Sequence, residues 1–197
     1  MKLSLHQPNF FPYYPFFQKM EESDIFLIMF HCQYENRNYQ NRFNIAESWY
    51  TMSVNKGTQI QNNSSPSDSI FSKKYVNYKN DWDKIKNRLP QYKTILDEFD
   101  NNICESLSET NISIILKIKK MLDIKTPIVF DYPTDLRSTD RILDFCEKYN
   151  ATEYYSGISG ANYLNIENFN KKNIKLSFQE KDKMNSISIL EKLKTLI

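Results

Sequence analysis

One of only two histidines in the chain stands in the segment His6-Gln7-Pro8-Asn9-Phe10-Phe11-Pro12. Imidazole is the side chain best suited to move a proton near neutral pH, as a general base, or to donate to a phosphate. The same His6 could equally do no more than fix a turn by bonding local backbone. A second cluster, QYENRNYQNR, gathers Gln33, Arg37, Gln40, Asn41 and Arg42. Guanidiniums donate in bidentate forks to phosphate or carboxylate, and amides suit sugar hydroxyls or a nucleobase edge. An ordinary solvated loop would look the same. Interleaved Arg and Tyr also suit stacking on single-stranded nucleic acid, but a balanced charge makes that the weaker option. A third cluster, Tyr155-Ser156-Gly157-Ile158-Ser159-Gly160, holds two of the three glycines and runs on to Asn162 and Tyr163. Glycine frees backbone amides to cradle a phosphate, or supplies a positive φ. A simple turn explains it as well, and the spacing fits neither a P-loop nor a dinucleotide fingerprint.

The nucleophile readings are weaker. Cys32 follows His31 directly, and neighbours on a strand point to opposite faces. Cys104 and Cys146 fall on helical patterns, where core filling is the plain role. Asp131, Asp135 and Asp140 cluster after a strand end near Phe130, where a carboxylate could orient a substrate amine or a histidine; helix capping accounts for them equally. Three widely spaced cysteines, with no histidine near a cysteine pair, predict neither a disulfide framework nor a zinc site. No metal and no evident cofactor are expected, and a reduced cytoplasmic chain is the expectation.

The elements that must hold these residues follow from pattern. Lys2 to Leu5 predicts a first strand ending at His6, since Pro8 keeps Gln7 extended. A short helix is expected over Phe16 to Glu22 and a buried strand over Ile25 to Phe30. Trp49 to Val54 predicts a third strand, 58–69 a flexible surface loop without apolar period, and the pattern turns helical from Trp82. Ser108 to Leu122 reads as the clearest helix, capped by Ser108. Then come a strand over Thr126 to Phe130, a helix capped by Ser138 or Thr139, a strand over Glu153 to Tyr155, a helical turn over Ile166 to Asn170, a strand over Ile174 to Phe178 and a helix from Ser186 to Ile197. Alternating strands and helices argue for an α/β fold with a mostly parallel sheet, flanking helices and a ligand site at the carboxyl ends of the strands.

With 197 residues, one domain is the expectation. An apolar share of 40% and an aromatic share of 14% suffice for a sizeable core and exclude disordered or low-complexity classes. Twenty-six basic against 24 acidic residues give a formal charge of +2, so neither nucleic acid nor an anionic membrane is expected as partner. No apolar run approaches the roughly 20 residues of a membrane span, and the opening residues lack the pattern of a signal peptide.

The blocks HQPNFFP, QYENRNYQNR, LSETNISIILKIKKMLDIKTPIV, STDRILDFCEKYNATEYYSG and SGISGANYL, in that order, resemble the WbqC-like protein family from Leu5 to about Phe178. The positions that carry the resemblance are His6, Gln7, Pro8, Pro12, Gln33, Asn41, Arg42, Asn111, Asp140, Arg141, Ser156, Gly157 and Tyr163. The chain departs from the family pattern with Phe30, His31 and Cys32 where an acidic pair is expected, and with Asn55 where a proline is expected. That weakens a carboxylate role at this strand end and any essential role for Cys32. The resemblance implies a bacterial protein encoded among genes for surface polysaccharide, often O-antigen. From it follows the expectation of an N-acyltransferase, or aminoacyltransferase, that modifies the amine of a nucleotide-linked amino sugar. His6 and Gln7 would be catalytic, as base and oxyanion donor. Asn9, Gln33, Arg37, Asn41, Arg42, Asn111, Asp140, Arg141, Ser156, Gly157 and Tyr163 would bind substrate. The acyl donor stays open between a carrier-protein or coenzyme thioester and an activated amino acid, which leaves an acyl carrier protein as one candidate partner. A nucleotidyl-transfer-like enzyme and a non-catalytic sugar-nucleotide binding module are the alternatives.

Overall fold

Alternation sets the faces of the first strand, β1 (Lys2–His6): Leu3 and Leu5 join one apolar cluster, while Ser4 and His6 point the other way. The computed structural model describes residues 1–55, 69–180 and 188–196. Along the chain follow α1 (Tyr14–Glu21), β2 (Ile25–Ile28), β3 (Arg42–Ile45), β4 (Ser48–Thr51), α2 (Tyr78–Arg88), α3 (Lys93–Asp97) and α4 (Leu107–Met121). Then come β5 (Ile128–Phe130), α5 (Ser138–Lys148), β6 (Glu153–Ser156), α6 (Ile166–Lys171), β7 (Lys175–Phe178) and α7 (Ile189–Lys194). These divide into two compact units. The first comprises Met1–His6, Pro15–Met29 and Ile124–Asn185, and the second Gln7–Tyr14, Phe30–Asp123 and Ser186–Ile197.

The first unit is a five-stranded, all-parallel sheet in the order β5-β2-β1-β6-β7. The chain therefore builds outward from β1 in one direction, then returns to build on its other side, as in doubly wound α/β sheets. One face packs α5 and α6 through Leu3, Leu5, Leu27, Tyr154, Phe145, Cys146 and Phe169. The other face packs α1, whose Phe16 ring meets Phe26 at 5.1 Å and His6 at 5.0 Å. The expected α/β class with parallel strands holds. The strands are mostly shorter than periodicity implies: β2 stops at Ile28, so His31 and Cys32 lie in a bend rather than on a strand.

The second unit is mainly helical and carries one antiparallel hairpin, β3–β4. Its core is aromatic. Phe11 stacks on Trp82 at 5.8 Å, and Phe10, Phe43, Tyr75 and Phe99 close around that pair. The β3–β4 hairpin was not expected: Arg42 to Asn44 read as loop, yet they pair with Thr51 to Trp49. Helix α4 starts one residue before the expected cap, because Ser106, not Ser108, accepts from the Glu109 amide. The surface loop expected over 58–69 lies outside the described residues except for Ser69, which bridges to Gln33.

No described glycine has a positive φ, and non-glycine residues take that role. Asp123, Asn150 and Asn173 are left-handed just beyond α4, α5 and α6. Asn and Asp tolerate that conformation best after glycine, because their short polar side chains bond locally. Among the described residues, no helix is long and apolar enough to cross a membrane.

Candidate functional site

Within the first unit, chemistry gathers where the strand order reverses. The β1–β6 ladder pairs Lys2 with Glu153 and Leu3 with Tyr154 and then ends, although β1 continues to His6 and β6 to Ser156. On its other side β1 stays paired with β2 through His6. The carboxyl ends of β1 and β6 thus lose their mutual ladder, at the point where open parallel sheets bind ligands. His6 is half-buried there, edge-on to Phe16. Ser156 is buried, and its hydroxyl donates to the Gly157 carbonyl at 3.0 Å. Just beyond β7, the Gln179 side-chain amide donates to the Pro15 carbonyl at 2.8 Å, tying the start of α1 to this edge.

The side chain that sequence reasoning missed is Lys19. It is only 3% exposed, and its Nζ donates to the Leu5 carbonyl at 3.0 Å. Burial alone lowers its pKa from 10.5 to about 7. No described carboxylate pairs with it. The helical period held the signal: Phe16, Lys19 and Met20 share one stripe of α1, Ser23 just past its end continues the spacing, and all four are buried. A lysine in that stripe reads as a flexible surface cation until the carbonyl it serves is seen.

Gly157 has φ −65° and ψ 158°, ordinary extended backbone, so the positive-φ reason for this glycine is overturned. A Cβ there would meet only Lys19 Nζ, at 3.9 Å. Gly160 is the sterically required glycine, because an added Cβ would overlap the Ser156 hydroxyl and crowd Leu164. Tyr163, just after, is 57% exposed. Elsewhere in this unit Arg141 pairs with the fully buried Asp131 carboxylate at 2.6 Å, and Asp140 is exposed in the first turn of α5. Burial pushes the Cys146 thiol up to about 12, as expected of core filler. The Tyr155 hydroxyl donates to Glu22, which together with burial raises its pKa.

The second unit contains the polar cluster of residues 33–42. Gln40 is fully buried; its side chain accepts from the Glu35 amide at 2.8 Å and donates to Gln7. Asn111, also fully buried, donates to the carbonyls of Pro8 and Gln40 at 2.8 and 2.7 Å and accepts from Tyr75. Asn41 donates to the Met52 carbonyl at 2.7 Å, while Asn9 is buried nearby in sequence to the same turn. Arg42 stacks its guanidinium 4.0 Å over Trp49 and donates to the carbonyl of the exposed, left-handed Arg37. Gln33 is exposed. These amides therefore bind the His-Gln-Pro-Asn turn's second half to the loop that follows β2. A groove of about 660 Å³ runs along α4, lined by Asn102, Ser113, Leu116, Lys117, Lys120 and Met121. Its lining holds no carboxylate, histidine or cysteine, and Asn102 and Ser113 bond each other. No group of three or more possible metal ligands occurs among the described residues.

No curated protein and no solved structure matches the sequence significantly. The residues from the Gln7 turn through the parallel strands and beyond do match one family, over 7–186. The chain belongs to the WbqC-like protein family.

Proposed function

We propose that this chain is an N-acyltransferase, or aminoacyltransferase, that acylates the amine of a nucleotide-linked amino sugar in bacterial surface-polysaccharide synthesis. The observation that carries the reading is the position of His6: half-buried at the carboxyl end of β1, beside the reversal of strand order in a parallel sheet. In this reading His6 takes the proton from the attacking ammonium, and the released amine attacks the acyl carbonyl. A backbone amide then donates to the tetrahedral oxyanion. As the intermediate collapses, the nitrogen's surplus proton passes to the departing thiol or other leaving group, and an amide remains. The sugar and nucleotide class comes from the family resemblance, and the sheet order supports a nucleotide ligand by general rule. Incubation with candidate nucleotide-linked amino sugars and acyl donors, read by mass spectrometry, tests it. An acyl mass gain on the sugar is the expected outcome. Pyrophosphate release would point to nucleotidyl transfer, and binding without turnover to a non-catalytic module.

A further inference from the structure

Lys19 is a built half of an ion pair whose other half is missing from the described residues. Its ammonium has three N–H donors, and one is used, on the Leu5 carbonyl. Burial without a carboxylate partner is costly for a charge, which is why such groups are nearly always paired. The position is specific. Leu5 lies two residues past the last ladder pair of β1 with β6, Leu3 with Tyr154, and Gly157, just past β6, comes near the amine and offers no side chain. A Cβ at that residue would stand 3.9 Å from Nζ, so glycine leaves backbone alone on that side of the amine.

We propose that Lys19 is the counter-charge for a phosphoryl group of a nucleotide diphosphate held where β1 and β6 part. This rests on the proposed nucleotide-linked substrate and names the residue that would hold its phosphate. Ammonium and phosphoryl oxygen form a charge-assisted hydrogen bond, and each removes the other's desolvation penalty. In the free protein the amine is close to evenly divided between its two forms near neutral pH. An arriving anion favours the charged form, so binding draws a proton from solvent. The titratable groups around it include His6 at the end of β1, Glu22 just past α1, Tyr155 on β6 and Glu180 beyond β7. Glu22 and Tyr155 are bonded to each other, and none of the four contributes to the lowered Lys19 pKa.

Calorimetry with uridine diphosphate at pH 8, in Tris and in HEPES, counts that proton through the difference in buffer ionisation heat. The expected result for the wild type is an uptake close to one proton per ligand. Lys19→Met should abolish the uptake and weaken binding at least tenfold, and Lys19→Arg, already charged, should bind without uptake. Thermal melts check that both variants fold, and lysine ¹³Cε NMR of the wild type reads the same protonation directly if they do not. Thymidine diphosphate, inorganic pyrophosphate and inorganic phosphate form the other arms: comparable binding of free phosphate would identify a simple anion site. Wild-type binding with no proton uptake, undiminished binding by Lys19→Met, a Cε resonance unmoved by ligand, or no binding of any diphosphate would overturn the assignment. Acyl transfer with an indifferent Lys19 would sink this inference alone. Lys19-dependent diphosphate binding with no acyl transfer from any donor would sink the acyltransferase reading alone.

Discussion

At the scale of single residues, the two tests that discriminate best concern His6 and the glycine turn. His6→Asn keeps a smaller planar polar group beside Phe16 but removes the base. Turnover should fall about 10²- to 10⁴-fold with the melting temperature nearly unchanged, and a kcat equal to wild type would reduce His6 to a structural residue. Glycine was legible in the sequence as a requirement at both positions, and the steric part of that requirement falls on Gly160. Gly160→Ala forces a methyl into the Ser156 hydroxyl, and overpacking of this kind costs about 1–3 kcal/mol. Gly157→Ala meets only the end of the Lys19 side chain, so its melting temperature should stay within a degree or two of wild type. Paired thermal melts settle the order; a larger loss at Gly157 would contradict the packing. Lys19 itself escaped the sequence reading because its acceptor is a main-chain carbonyl, which leaves no trace in residue types.

Among the elements, those with a period were legible and those defined by a turn were not. The parallel strands and the long helix α4 announce themselves as apolar runs and stripes, and only their ends shift by a residue or two. The β3–β4 hairpin is the clear miss. Its two-residue turn is Ala46-Glu47, with φ of 47° and 65°, whereas positive φ at both central residues ordinarily selects Asn-Gly or Asp-Gly. Without those residues there was no turn to read. The same fact yields a prediction, since left-handed backbone costs a non-glycine residue roughly 1–2 kcal/mol. Replacing Ala46-Glu47 with Asn-Gly should raise stability by about 1 kcal/mol, a few degrees in melting temperature for a chain of this size. A melting point unchanged or lowered would mean that the glycine's added freedom in the unfolded chain cancels the relief. The polar residues of the 33–42 loop were legible as important but not as to what they do. An amide that bonds a carbonyl far along the chain, as Asn111 bonds Pro8, looks in sequence like one that awaits a sugar.

For the whole molecule, the buried lysine fixes the sign of a pH dependence. Its pKa falls from 10.5 in the unfolded chain to about 7 on folding. Between those values the unfolded state binds more protons than the folded state, so stability should rise as pH increases from about 7 towards 10. Below about 7 both states carry the charge and the penalty is constant. Above 10 the trend should reverse, because burial raises the hydroxyl pKa of Tyr132, Tyr154 and Tyr155 above the ordinary value and the unfolded chain ionises first. Denaturant titrations from pH 6.5 to 9.5 check this, and Lys19→Met should flatten the slope. A flat wild-type profile would mean that water reaches the amine after all.

The order of the strands also has a consequence for synthesis. Strand β1 pairs with β6, and the contact from Met1 to Thr152 spans 151 positions. At roughly 5–20 residues per second, a ribosome delivers β6 on the order of 10–30 s after β1. During that interval β1 and β2 have left the ribosome, and all of the inserted segment Phe30–Asp123 is made before β5. The nascent β1–β2 pair therefore keeps both of its apolar edges open until β5 is made, and the β1 edge open until β6 follows, a state in which a chaperone that shields such edges would decide the yield of folded protein.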